Sequence, residues 1–312
     1  MSRAENILVG TASWTGASLV KSRKFYPAHV TTAAGRLAYY ASHFRLVEVD
    51  SSYYALPSAR NSESWSRNTP DGFTFNIKAF RLFTGHQTPA RAFPKDILQV
   101  LAEHFETNPH LFYRDTPEDV RGALWDRFEE AIRPLRDAGK LGVVHFQFAP
   151  WVTYSTLALD HIRACAERLP GYRMAVEFRH RSWFDDAHRD RTLAFEREHG
   201  LAHVVADEPQ GFANSIPAVW EATRSDVAIV RLHGRNAETW TMTDAPDSSY
   251  RFNYDYSPEE LAGIAADVRR LARKAERVHV VFNNNYEDQG QRNARSFMER
   301  LAAEGRRNSA EE

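Results

Sequence analysis

The sequence predicts an α/β fold, a single (β/α)8 TIM barrel with an inserted helical and loop segment after the third strand. Three observations carry this expectation. Short runs rich in β-branched and aromatic residues alternate with helical stretches, the pattern of parallel strands joined by crossover helices. Eight such runs can be counted, at residues 7–14, 46–54, 73–80, 141–148, 173–180, 202–208, 227–234 and 278–286. The chain of 312 residues suits one large barrel, because such barrels run near ~250 residues and accept insertions, and no repeat or linker divides it.

Between the strands, helices are predicted over 31–43, 59–68, 118–138, 155–168, 185–199, 258–276 and 289–303. Ser257, Pro258, Glu259 and Glu260 read as an N-cap, an N1 proline and an acidic first turn, and Gly139 and Gly200 stand where C-terminal glycines belong. The connection over 209–225 is the weakest as a helix. Segment 84–117 holds four prolines around an apolar run at 97–105, suggesting a loop with an extra helix over one barrel end. Segment 235–256 is polar and aromatic without a period, a length often used for lids. The barrel is expected to span 1–304, with 305–312 a frayed tail.

Composition narrows the function classes. With 43% apolar and 26% charged residues and a formal net charge of -1, the chain has no general attraction to nucleic acid or an anionic membrane. Its one cysteine, Cys165, allows no intramolecular disulfide or cysteine-rich zinc cage, and reads as filler near Ile162 and Leu169. The first residues have no signal-peptide layout, and no stretch approaches ~18 apolar residues, so a cytoplasmic protein without a membrane partner is expected.

The run RMAVEFRHRSW at 173–183 places Glu177 and Arg179 on one strand face, with Val176 and Phe178 on the other. A carboxylate and a guanidinium aimed into a barrel are costly unless paired or used. The same parity collects Glu48 and Asp50, Lys78, Gln147, His145, Asp207, Arg231 and His233, and Asn283 and Asn285 at the late ends of the other strands. Those ends form the mouth in barrel enzymes. The bland readings are a structural ion pair for Glu177 with Arg179 or Arg231, a core histidine for His145, which we favour, and a turn cluster for Asn283 to Asn285. Trp14 and Trp183 read equally as packing or as an aromatic wall, and Arg121, Arg127, Arg133 and Arg136 as a solvated helix face.

The blocks VGTASW, FYP, VEVDSSYYALP, TPDGFTFNIKAF with Trp65, LGVVHFQFAP, VEFRHRSW, VADEP, VRLHGR and FNNN with RNA occur in this order from about Val9 to Ala303. Together they resemble the YecE-like family, catalogued as domain of unknown function 72. The resemblance implies a TIM barrel and no activity. The chain departs from the family pattern in a longer segment at 84–117 and in DQGQRNA near the end, both at the rim.

The leading functional expectation is a hydrolase- or isomerase-type enzyme for a small phosphorylated or carboxylated molecule. Lys78, Arg179 and Arg231 would clamp the anion, because arginine suits bidentate recognition of such groups. Glu177 and Asp207 would form the acid/base pair with His233 as a second proton carrier, while Asp50, Gln147, Asn283, Asn285, Trp14 and Trp183 would line the substrate. No cofactor is predicted. The first alternative is a divalent metal held by Glu177, Asp207, His233 and Asp50, for which fold analogy is the only encouragement. The second is a non-catalytic nucleic-acid or ligand binder using Trp14, Tyr53, Trp183, Arg235 and Trp240, which the near-neutral charge disfavours.

Overall fold

The β-branched runs form eight parallel strands, each paired with its neighbour in sequence, and the last closes on the first. The computed structural model describes residues 6–242 and 248–311. The barrel strands are β1 (Ile7–Ala12), β2 (Leu46–Val49), β3 (Thr74–Lys78), β4 (Leu141–Gln147), β5 (Met174–Glu177), β6 (Ala202–Asp207), β7 (Ala228–Leu232) and β8 (Val278–Phe282). Closure runs from Ile7 opposite Val278 to Thr11 opposite Phe282. The expected TIM-barrel architecture is therefore present.

Strand alternation sorts the side chains into two layers. Val47, Val49, Phe75, Ile77, Val144, Phe146, Val176, Phe178, Val230, Leu232, Val280 and Phe282 belong to the main core between barrel and helices. Burying each such side chain stabilises by roughly 1.5–3 kcal/mol. Smaller apolar clusters, Val143 with Ala175, Ala202, Val204, Val227 and Ile229, and Leu8 with Ala12, Leu46 and Val281, fill the barrel. Among them His279 Nδ1 meets Asn76 Oδ1 at 3.0 Å. Gly142 makes room for that pair: a Cβ there would stand 2.5 Å from Asn76 Oδ1 and 2.8 Å from His279 Cε1.

Seven helices cover the barrel: α1 (Ala33–Ala41), α2 (Ala59–Arg67), α3 (Glu118–Asp137), α4 (Thr156–Glu167), α5 (Arg189–Glu198), α6 (Pro258–Leu271) and α7 (Gln289–Glu311). Ser257 is the expected N-cap of α6, and with Glu260 it forms a capping box. Residues 209–225, between β6 and β7, form no helix. The inserted segment carries two short helices, Lys95–Val100 and Ala102–Thr107, between the strands Thr88–Pro89 and His110–Leu111, which pair with each other. Arg121, Arg127, Arg133 and Arg136 each meet an acid, Glu118, Asp96 or Glu129. Cys165 is buried on α4, in the main core with Ile162 and Leu169.

Several elements end earlier or later than expected, and three of these differences bear on the mouth or the chain end. β2 stops at Val49 and Ser51–Tyr54 turns into a short helix, because the Ser52 hydroxyl donates to the carbonyls of Val49 and Lys78. β8 stops at Phe282, so Asn285 lies past the strand. The final helix continues to Glu311 through the expected tail, and Glu312 lies outside the described residues, as do 243–247 of the predicted lid. Among the described residues no helix is long and apolar enough to cross a membrane.

Candidate active site

The carboxyl ends of the strands converge on Arg231, a guanidinium with no solvent exposure. Its Nη2 donates to Glu48 Oε1 at 2.6 Å, and its Nη1 to Glu177 Oε2 at 2.7 Å and Gln147 Oε1 at 3.1 Å. Burial alone would push both carboxyls up, but the Arg231 charge outweighs it and holds Glu48 and Glu177 well below the usual carboxylate range. His145 lies between them, Nδ1 at 3.1 Å from Glu48 Oε2 and Nε2 at 3.2 Å from Glu177 Oε2. It is the buried histidine expected, set within the charge cluster.

His233, just past β7, continues the network. Its Nε2 is 3.1 Å from Glu177 Oε1, and its Nδ1 is 2.9 Å from the Asn283 side-chain nitrogen. With that amide donating to Nδ1, the ring proton sits on Nε2 and faces Glu177. Burial, only partly opposed by Glu177, brings His233 down to about 3, so it stands as a neutral imidazole. Trp240 and Phe252, from the segment after β7, lie over it with ring centroids 6.3 and 6.0 Å away.

Arg179, past β5, points its Nη1 at Glu177 Oε1 (3.0 Å) and at Glu208 Oε2 (2.9 Å), under the ring of Trp240. Glu208 escapes the sequence reading. Burial pushes its carboxyl up to about 7 against the pull of Arg179. The inward residue on β6 is Ala206, opposite Arg231, whereas Asp207 stands opposite the core residue Leu232. Asp207 is therefore a correction: it faces outward, fixed by Arg235 through Nε and Nη2 and by the Tyr256 hydroxyl at 2.6 Å. Asp207→Asn is expected to destabilise the fold by about 1–3 kcal/mol, through loss of the ion pair, with anion affinity unchanged. Urea unfolding and a binding titration on one preparation check this; a loss of affinity alone would return Asp207 to the site.

Above the buried floor lies a partly open rim. Lys78 Nζ is 3.4 Å from Asp50 Oδ1. Lys78 and Arg81 each lie 5.1 Å from the centroid of Tyr53, whose ring meets His86 edge-on at 5.1 Å, and His86 meets Trp151 at 5.8 Å. Burial, reinforced by Lys78, Arg81 and Arg179, brings His86 down to about 3. Arg81, His86 and Trp151 stand on turns after the strands, where alternation carries no information.

The remaining expected residues are dispersed. Trp183 is a second correction: it has no exposure, stacks on Phe178 at 3.9 Å and donates its Nε1 to the Val152 carbonyl, so it is core. Trp14 is likewise buried, edge-on to Trp65 and Phe75. Asn285 is half-buried, and among the described residues its Oδ1 has no hydrogen-bond partner. The ligand set of the metal alternative is not assembled, because Asp207 faces away from Glu177 and His233; among the described residues no group of three or more His, Cys, Asp or Glu is arranged to hold a metal ion. At the opposite barrel end, a cleft of about 410 Å³ is lined by Arg136, Tyr172, Arg173, Arg224 and Asp226, with Arg173 and Arg224 both paired to Asp226.

Comparison with known proteins follows the whole barrel. A family model described as "Protein of unknown function DUF72" matches residues 8–312. The chain is similar to the UPF0759 protein YunF of Bacillus subtilis (strain 168), 32% identical over 276 residues, 88% of this chain and 89% of that protein. It is also similar to the crystal structure of a DUF72 family protein from Thermotoga maritima MSB8, with 30% identity, a TM-score of 0.74 and coverage of 95% of this chain and 99% of that one. A DUF72 family protein from Enterococcus faecalis V583 shares the fold at 24% identity and a TM-score of 0.75, over 95% of each chain.

Proposed function

Because the chain belongs to the family described as protein of unknown function DUF72, we propose its function from the barrel mouth itself: an acid/base enzyme that binds a small phosphorylated or carboxylated substrate. The anion lies against Lys78, Arg81 and Arg179, and Glu208 moves a proton at it. The observation that carries this reading is the gathering of three cations on one sector of the mouth, with Arg179 touching a carboxyl near pH 7. Arg179 is about 11% exposed, and among the described residues its Nε and Nη2 make no hydrogen bond, so they are free to meet a ligand. Arginine offers this fork to carboxylate or phosphate.

Glu177 is too firmly held to serve as the mobile acid. It is ionised between two guanidiniums, and its work is to orient Arg179 and His233. Glu208, by contrast, can carry either proton state near neutrality, as a general acid or base requires. An anion drawn to Arg179 favours the neutral form of Glu208, so binding itself loads the proton.

Sulfate, whose charge is constant near neutrality, tests this linkage. Its affinity is expected to fall roughly five- to tenfold as the pH rises through about 7, because ionised Glu208 competes for Arg179. In Glu208→Gln the affinity should stay at the low-pH level throughout. A flat wild-type profile between pH 6 and 8 would remove Glu208 from the mechanism.

A further inference from the structure

We propose that the anion taken at this mouth is a nucleotide, with its phosphate on Lys78, Arg81 and Arg179 and its base stacked on the indole of Trp151. The inference rests on the anion reading above and adds the substrate class.

Trp151 is 51% exposed, whereas Trp14, Trp125, Trp183 and Trp240 are buried and Trp65 and Trp220 half-buried. An exposed indole forgoes the large apolar burial that a tryptophan ordinarily contributes. It is also held still, because its Nε1 donates to the Gly85 carbonyl at 3.0 Å and so ties the turn after β4 to the loop after β3. With Nε1 occupied, the ring offers a ligand its π face. A rigid aromatic plate beside cations is how stacking and phosphate contacts combine in nucleotide recognition. The plate joins two of the cations through one chain of contacts, Trp151 to His86, His86 to Tyr53, and Tyr53 to both Lys78 and Arg81, while Arg179 is close enough to His86 for its charge to act on that ring. Among the described residues the buried Arg81 Nε has no hydrogen-bond partner, leaving a donor for the phosphate. Tyr53 follows β2, Lys78 ends β3, Arg81 and His86 follow it, Trp151 follows β4 and Arg179 follows β5, so these groups occupy one contiguous sector of the mouth.

The test is calorimetric titration of the full chain with ribose 5-phosphate, a purine nucleoside 5′-monophosphate, the same nucleoside without phosphate, and a 5′-phosphorylated tetranucleotide. Wild type should bind the nucleotide roughly tenfold tighter than ribose 5-phosphate, the worth of one stacked base, and the bare nucleoside weakly. Trp151→Ala and Trp151→Phe both lose the bond to Gly85 and should bind ribose 5-phosphate equally, while the preference for the nucleotide is erased in Trp151→Ala and mostly retained in Trp151→Phe, which keeps an aromatic face. Tetranucleotide affinity equal to that of the mononucleotide identifies a strand end as the source, and weaker binding identifies a free nucleotide; either supports the site. Equal binding of nucleotide and ribose 5-phosphate in wild type, or an undiminished preference in Trp151→Ala, overturns the stacking while sparing the anion reading. Failure of every phosphate to bind overturns both.

Discussion

Arg231→Met is expected to lower the unfolding free energy by about 3–5 kcal/mol at pH 7, as when one partner of a buried ion pair is removed. Methionine fills much of the space, but Glu48 and Glu177 would face the barrel interior without the guanidinium that bonds both. The sign of the pH dependence makes the result diagnostic. In the wild type both carboxyls are held low, so their stabilisation is present above the unfolded value near ~4.3 and is lost on acidification below it. In the variant the carboxyls would be raised by burial and mutual repulsion, so stability would increase as the pH falls from 7 toward 5. Urea unfolding at both pH values measures this. Equal stability of variant and wild type at pH 7 would mean that the network contributes nothing net.

Arg179→Ala should weaken sulfate or phosphate binding roughly 10- to 100-fold, the worth of charge-assisted hydrogen bonds to a ligand anion. The fold is expected to survive, because Glu208, already near 7, takes up a proton when its cation is removed. Titration calorimetry alongside a thermal melt separates the two effects. Unchanged affinity in a folded variant would show that the anion does not touch Arg179.

Much of the barrel was legible because its two periods are strong. Strands such as LGVVHFQ and VHVVF are apolar runs of barrel length, and the capping box at Ser257 marks the start of α6. Alternation also brings Glu48, His145, Gln147, Glu177 and Arg231 to one face, and the structure has them within contact distance. The same rule failed at VADEP. Val205 and Ala206 are both apolar, so neither face declares itself, and only the register against Arg231 distinguishes Asp207 from Glu208. Trp183 misled for another reason: two residues beyond Arg181 the chain has left the strand for a 3-10 turn, and the ring swings back onto Phe178. Arg81 and Trp151 had no local signal at all, since their positions depend on how neighbouring loops meet.

The helix-free connection between β6 and β7 makes a seam in an otherwise helix-covered barrel. Its backbone is held there by individual side chains: Thr223 bonds Leu201 and His203, and Glu208 Oε1 accepts the Ile216 amide. A segment tied down by scattered bonds instead of a helix's own hydrogen-bond ladder opens locally more readily than a helix-packed one. Opening would hydrate Glu208 and return it toward an ordinary carboxyl, so the closed seam and the bound proton stabilise each other. Breathing of an outer loop and the charge state of the mouth are then two readouts of one equilibrium.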